Sequence, residues 1–162
     1  MGADLSKIGI LARREIEARI AGPLIQAFTK EIGYERVLEI VQGVIVSLAR
    51  ESGAMLREFV GGNSLEDLAK GMSLWTQDDA VTLDLLDLTP ERISMNVARC
   101  RYAEMYRELG MAELGFTLSC GRDFAMVEGF NPRISLQRTQ TIMQGADHCD
   151  FRFALSSRRP GP

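Results

Sequence analysis

Val81-Thr82-Leu83-Asp84-Leu85, followed by Thr89-Pro90-Glu91-Arg92 and then Ile93-Ser94-Met95-Asn96-Val97, decides the fold of this 162-residue chain. Apolar residues alternate with polar ones on both sides of a short turn-forming segment, the period of a half-buried strand. Parallel strands need a crossover of about a dozen residues or more, so this spacing predicts an antiparallel hairpin.

Outward from the hairpin the period changes to that of helices. Toward the N-terminus, Ile8, Leu11, Ile16, Ile20, Leu24 and Phe28 recur at helical spacing with charges between them, and Gly22-Pro23 predicts a kink or short break. A second helix is expected from Tyr34 to Phe59, where Val37, Val41, Val44, Leu48, Leu38 and Ile45 form a wide apolar stripe, ending at Gly61-Gly62-Asn63. Ser64 with Asp67 three residues on reads as a capping box opening a short helix through Leu74 or Trp75. Toward the C-terminus, Cys100 to Leu109 returns to helical spacing and stops at Gly110, and a further helix is expected from Ala112 to about Val127. Ile134 and Leu136, then Phe151, Phe153 and Leu155, mark two more strands joined across Gln144-Gly145-Ala146-Asp147. The tail from Ser156 lacks apolar content and is expected to be disordered. The predicted architecture is a single α+β domain over residues 1–155, its N-terminal helices packed on an antiparallel sheet of about four strands made from two hairpins.

Composition narrows the function classes. The chain is 46% hydrophobic and 25% charged with a net charge of −3, so it has material for one core and no field that would draw a polyanion. Nucleic acid is therefore not an expected partner. No apolar run reaches the roughly 20 residues of a membrane span, and the start lacks a secretory leader, so the expected location is cytoplasmic with no membrane partner. Cys100, Cys120 and Cys149 are odd in number and widely spaced, which suits reduced thiols rather than a disulfide framework or a zinc ribbon. Met1-Gly2-Ala3-Asp4-Leu5-Ser6 formally fits a myristoylation pattern, although a match this short arises readily by accident.

Strand parity and helical spacing converge on one polar cluster. Ile134 and Leu136 set an inner face that Arg138 shares; Ile93, Met95 and Val97 likewise point Arg99 inward; Phe151 and Phe153 put Cys149 inside and His148 outside unless a bulge reverses it. On the expected 112–127 helix, the stripe that buries Phe116 and Phe124 also carries Cys120 and Asp123. An acid on an apolar stripe needs a partner, and Arg138 or Arg99 is the natural one. Two readings of this cluster stand side by side: a core salt bridge beside inert buried thiols, or a reactive pocket. A metal held by Cys120, His148 and Cys149 is not expected, because adjacent strand residues diverge.

The run Glu113-Leu114-Gly115, Cys120-Gly121-Arg122-Asp123, Gly129-Phe130-Asn131-Pro132, Arg138-Thr139-Gln140-Thr141, Gly145 and Cys149-Asp150-Phe151-Arg152 resembles the L-2-amino-thiazoline-4-carboxylic acid hydrolase family over about residues 95–153. The resemblance implies an enzyme that opens a cyclic isothiourea: water adds at the carbon between nitrogen and sulfur, sulfur leaves, and an N-carbamoyl cysteine results. It would act on a small-molecule carboxylate and need no cofactor. In that reading Cys120, Asp123 and Cys149 are the candidate catalytic residues, a thiol attacking as thiolate or lining the pocket and Asp123 moving protons. Arg138 would hold the substrate carboxylate, with Arg99 and His148 as further substrate-binding candidates. A homo-oligomer is the expected assembly. The competing readings are a non-catalytic ligand-binding or sensor module of the same fold, and an enzyme of that fold acting on another small heterocycle or amide.

Overall fold

The decisive stretch folds as β1 (Val81–Leu88) and β2 (Arg92–Cys100), paired antiparallel. Thr89 closes the turn: its amide donates to the Arg92 carbonyl at 2.8 Å and its hydroxyl accepts from the Arg92 amide at 3.0 Å. This computed structural model describes residues 8–156, so the Gly2 motif and nearly all of the expected tail lie outside the described residues. Ser156 is described, and its amide donates to the Arg133 carbonyl.

The second strand pair is β3 (Ile134–Gln137) and β4 (Cys149–Leu155), also antiparallel, and β4 lies against β2 to give the order β1-β2-β4-β3. Ile93, Met95 and Val97 from β2 and Phe151 and Phe153 from β4 are buried on the shared inner face. Parity fails at both ends of β1. Leu83 pairs with Val97 while Thr82 pairs with Arg99, so Ala98 is an extra residue that reverses the alternation. Cys100 therefore takes the inner side and Arg99 turns out. A second shift between Leu85 and Asp87 leaves Leu85, Leu86 and Leu88 exposed on this edge strand.

The helices cover that inner face. α1 (Ile10–Ile32) continues through Gly22-Pro23, where a kink or short break was expected, with Pro23 inside the helix and Gly22 buried against Met111. Gly33, at φ 87°, separates it from α2 (Tyr34–Val60), and Gly61, at φ 73°, terminates α2 by donating to the Arg57 and Glu58 carbonyls. α3 (Leu65–Met72) has the expected capping box, Ser64 with Asp67, and ends two residues short of Leu74. α4 (Arg101–Glu108) follows β2 directly. Where one helix was expected from 112 to 127, the chain forms α5 (Ala112–Leu118), a 3₁₀ turn (Cys120–Arg122) and α6 (Asp123–Phe130). Ser119 and Gly121 are weak helix formers at that joint, and α5 ends at Ser119, whose φ of −118° is stretched from the helical value.

α2 and α6 cross backbone to backbone. A Cβ on Gly53 would collide with the Met126 carbonyl oxygen, and one on Gly129 with that of Arg50. This close approach fixes the height of α6 over the sheet. Ala49, Leu65, Leu68, Ile93, Phe130 and Phe153, none more than 1% exposed, form the core below it; burying an aromatic or aliphatic side chain of this kind stabilises by about 1.5–3 kcal/mol each. A second cluster under α1 gathers Ala18, Ile25, Val37, Ala103, Tyr106 and Leu114. Among the described residues no helix is long and apolar enough to cross a membrane.

Candidate functional site

Arg138 lies one residue past the end of β3 and keeps the inner parity of Ile134 and Leu136. Its side chain is 2% exposed. Burying a guanidinium is costly unless its charge and its N–H groups are met, and here three kinds of partner meet them. Nη1 donates to Asp123 Oδ2 in an ion pair. Nη1 and Nη2 both donate to the Cys120 carbonyl, each at 3.2 Å. The rings of Phe116, Phe124 and Phe151 surround the guanidinium carbon with centroids at 5.8, 5.2 and 5.4 Å, within cation–π range.

The helix break supplies this geometry. In the 3₁₀ turn the Cys120 carbonyl accepts the Asp123 amide rather than continuing an α-helical ladder, and it stays open to Arg138. Asp123 begins α6, where the helix N-terminus favours a carboxylate. Its side chain is 26% exposed, so the pair has one solvated edge. Burial raises the Asp123 carboxyl to about 6, against the opposing pull of Arg138, which brings the group within reach of proton exchange near neutrality.

The segment 138–148 is anchored by the strand it returns to. Asp150, on β4, accepts from the Thr139 amide at 2.9 Å, the Thr139 hydroxyl at 2.7 Å and the Gln140 amide at 2.8 Å. Burial works against its charge, but these donors outweigh it and hold the carboxyl below its ordinary value. Thr141, 2% exposed, caps the 3₁₀ turn Ile142–Gln144 by accepting from the Gln144 amide at 3.2 Å. Cys149 Sγ accepts from the Ile142 amide at 3.2 Å.

All three cysteines are free and face the interior, two half-buried and Cys149 buried. Burial pushes the Cys100 thiol up to about 11. It also raises Cys120, where the Asp123 carboxylate adds to the effect and Arg138 only partly offsets it. Cys149 is raised by burial too, opposed by the Ile142 amide and Arg138. The protonated thiol is therefore the resting form at each position.

Asp123 and Arg138 thus meet directly, Cys120 joins them through its backbone carbonyl, and Cys149 is on β4 within reach of the charges of both. Arg99 does not join them. The Ala98 bulge turns it outward, where its guanidinium makes two bonds to Glu104, at 2.8 and 3.0 Å. His148 also stays outside: its ring bonds Asp147 Oδ1 at 2.6 Å and meets the Gln140 side chain, with a third of the side chain exposed. Among the described residues no group of three or more His, Cys, Asp or Glu could hold a metal ion. Phe124, expected on the buried stripe, is 45% exposed, because the break rotates α6 relative to α5.

Sequence reasoning missed Asp150, Thr139 and Thr141, although all lie within the quoted motifs; a polar residue that fastens a loop has no periodic signal. It also missed Tyr102, whose buried hydroxyl has no hydrogen-bond partner among the described residues and whose pKa burial pushes up to about 12.

A family model described as L-2-amino-thiazoline-4-carboxylic acid hydrolase matches residues 13–153, extending the likeness from the C-terminal motifs through the helical front half. Two solved structures are similar in fold. The phenol-responsive sensory domain of the transcription activator PoxR, with phenol, is 15% identical with a TM-score of 0.55, over 83% of this chain and 72% of that one. A trafficking protein particle complex subunit 3 from Naegleria fowleri, covalently bound to palmitic acid, is 10% identical with a TM-score of 0.55, over 92% and 98%. At such identities the likeness shows fold alone. No curated protein matches the sequence.

Proposed function

The chain belongs to the L-2-amino-thiazoline-4-carboxylic acid hydrolase family, and from that premise we propose that it hydrolyses a small cyclic isothiourea or amidine-like carboxylate at the Asp123–Arg138 pair. One observation carries the reading: a carboxylate at the solvated edge of a buried ion pair, its pKa raised to about 6. Such a group is ionised at neutral pH yet basic enough to take a proton from water. As Asp123 takes one proton of the water, the water oxygen bonds to the ring carbon between nitrogen and sulfur; the carbon–sulfur bond breaks, sulfur leaves as a thiol with the proton returned by Asp123, and the second water proton ends on the nitrogen that was doubly bonded to that carbon. The product is the N-carbamoyl amino acid. Arg138 orients Asp123 and, with three of its five N–H donors engaged, keeps donors for the substrate carboxylate.

Cys120 and Cys149 line this site as neutral thiols. The raised thiols favour water attack over a cysteine nucleophile, and unpaired thiols suit a reducing cytoplasmic setting. The test is to incubate the protein with 2-amino-thiazoline-4-carboxylate and follow thiol release by a colorimetric thiol reagent. Turnover that falls about 10³-fold or more in Asp123→Asn and persists in Cys120→Ala and Cys149→Ala is the expected result. Loss of turnover in a cysteine variant that remains folded returns the nucleophile to sulfur.

A second reading is favoured by the fold shared with a phenol-responsive sensory domain: the same interior binds a small molecule without changing it. Saturable binding of the thiazoline carboxylate with no thiol released supports that reading against the first.

A further inference from the structure

α1 and α2 bury small residues against the protein and leave ten large apolar ones outward. Toward the protein they turn Ala18 and Gly22, and Ala49 and Gly53, together with Ile25 and Val37. Outward, α1 presents Ile16, Ile20, Leu24, Phe28 and Ile32, one every four residues and each 52–62% exposed. α2 continues with Ile40, Val44 and Leu48, then Met55 and Phe59, at 45–73%. The turn at Gly33 sets the helices side by side, so that Ile20 and Leu24 of α1 and Ile45 and Leu48 of α2 line one cavity of about 400 Å³, floored by Tyr106 and Leu118. Ten large apolar side chains, each about half exposed, sum to on the order of 1,000 Å² of apolar surface along two rows that wind about 40° per step around their helices, with Ile20, Leu24 and Leu48 together at the cavity. The largest patch on a typical monomer is about 300–600 Å², and each side of a stable interface covers about 800 Å².

We propose that this face docks on the same face of a second copy of the chain, forming a two-fold symmetric homodimer. The spacing favours self-recognition. Rows at four-residue intervals form the ridges of the commonest helix-packing class, in which the ridges of both helices are of the same kind, so a row can interdigitate with its own copy. The charge balance favours it as well. α1 and α2 carry seven basic and seven acidic residues, and Arg14–Glu17, Arg19–Glu15 and Arg36–Glu39 are already paired within the helices. Two copies meet without net repulsion, and the cavity brings one acidic and one basic residue, Glu17 and Arg122, to its lining. The open cavity between the helices gives a protruding side chain of the second copy a place to enter. This inference stands apart from the hydrolytic reading, whose failure leaves it untouched.

Light scattering during size-exclusion chromatography of the full chain, over a range of micromolar concentrations, is the test. A dimer is expected for the native chain. Leu24→Glu and Leu48→Glu, at positions already half exposed, should keep the helical circular dichroism and weaken dimerisation about 100-fold or more. Phe28→Lys and Met55→Lys carry the same test should either glutamate variant fold poorly. A native chain that stays monomeric overturns the proposal; one that is monomeric and binds neutral phosphatidylcholine vesicles assigns the face to lipid and overturns it equally. A dimer that survives all four substitutions uses another surface, and that too overturns it.

Discussion

The two strand pairs of this sheet follow one rule of pairing and differ in what joins them. Between β1 and β2 the chain turns within Thr89–Glu91, closes on Thr89 alone, and carries only an exposed ion pair, Arg92–Asp87 at 2.6 Å. Between β3 and β4 it travels through residues 138–148, and four amides of that excursion find a side chain: Thr139 and Gln140 on Asp150, Ile142 on Cys149, Gln144 on Thr141. The tight turn closes on its own Thr89 and gives one outside bond, the Glu91 carbonyl accepting from the Leu155 amide of β4 at 2.9 Å. A long one must be fastened by residues of the strand it returns to, and once fastened it can hold a guanidinium inside the core.

The contrast is broken or upheld first by two aspartates. Asp123→Ala takes away a hydrogen-bond acceptor of the buried Arg138 guanidinium, which should lower unfolding free energy by about 1–3 kcal/mol. Asp87→Ala removes a solvated pair and should cost about 0–1 kcal/mol. Urea denaturation of both variants compares them directly. Equal losses would mean that the interior pair is no more demanding than the surface one.

Asp150→Ala comes next in size. It removes three hydrogen bonds to a carboxylate, worth about 1–2 kcal/mol in total at a site partly open to solvent. Hydrogen exchange gives the sharper reading. The Thr139 and Gln140 amides should lose protection while the Thr89 and Arg92 amides of the tight turn keep theirs. Unchanged protection at Thr139 would show that the excursion is held by something other than Asp150.

How much of this was legible follows the same division. The tight hairpin, the capping box at Ser64 and Asp67, and the glycine stops at Gly61 and Gly110 are local devices, and alternation or spacing reveals each. The family was legible from the C-terminal motifs, and the match spans nearly the whole chain. Parity also carried Arg138 to the inner face, because β3 ends without a bulge before it. It misplaced Arg99, because one extra residue at Ala98 reverses every side chain beyond it and no local signal marks a bulge at an alanine. Helical spacing brought Cys120 and Asp123 together but hid the break that frees the Cys120 carbonyl. The exposure of the large apolar rows on α1 and α2 was not legible either, since an amphipathic pattern says which residues share a face and not whether the face is covered.

The third prediction concerns pH. With its folded pKa raised above the unfolded value of 3.8, to about 6, Asp123 stabilises the fold most fully below pH 4, and that contribution is lost as pH rises through 6. Asp150, held below its ordinary value, acts in the opposite sense: its contribution is present above pH 4 and lost on acidification. Thermal melts of the native chain and Asp123→Asn between pH 4 and 7 should differ in slope, the variant lacking the decline. Parallel curves would remove the titration from Asp123, and with it the proton-transfer role that the hydrolytic reading gives this residue.

The smallest effect belongs to Arg99. It sits at the far end of the tight hairpin's ladder, turned outward by the Ala98 bulge and paired with Glu104 in solvent. Exposed pairs of this kind contribute little, because water screens the attraction and both long side chains must be held in place. Arg99→Ala should therefore leave the urea midpoint, thiol release from the thiazoline carboxylate and its KM unchanged. Arg138→Lys, in contrast, keeps the charge but loses the planar fork that reaches Asp123 and the Cys120 carbonyl together, and should lose turnover while retaining helical circular dichroism. A drop in substrate affinity on Arg99→Ala would mean that the substrate reaches over the outer end of β2, and the site would then straddle the two strand pairs instead of belonging to the longer one.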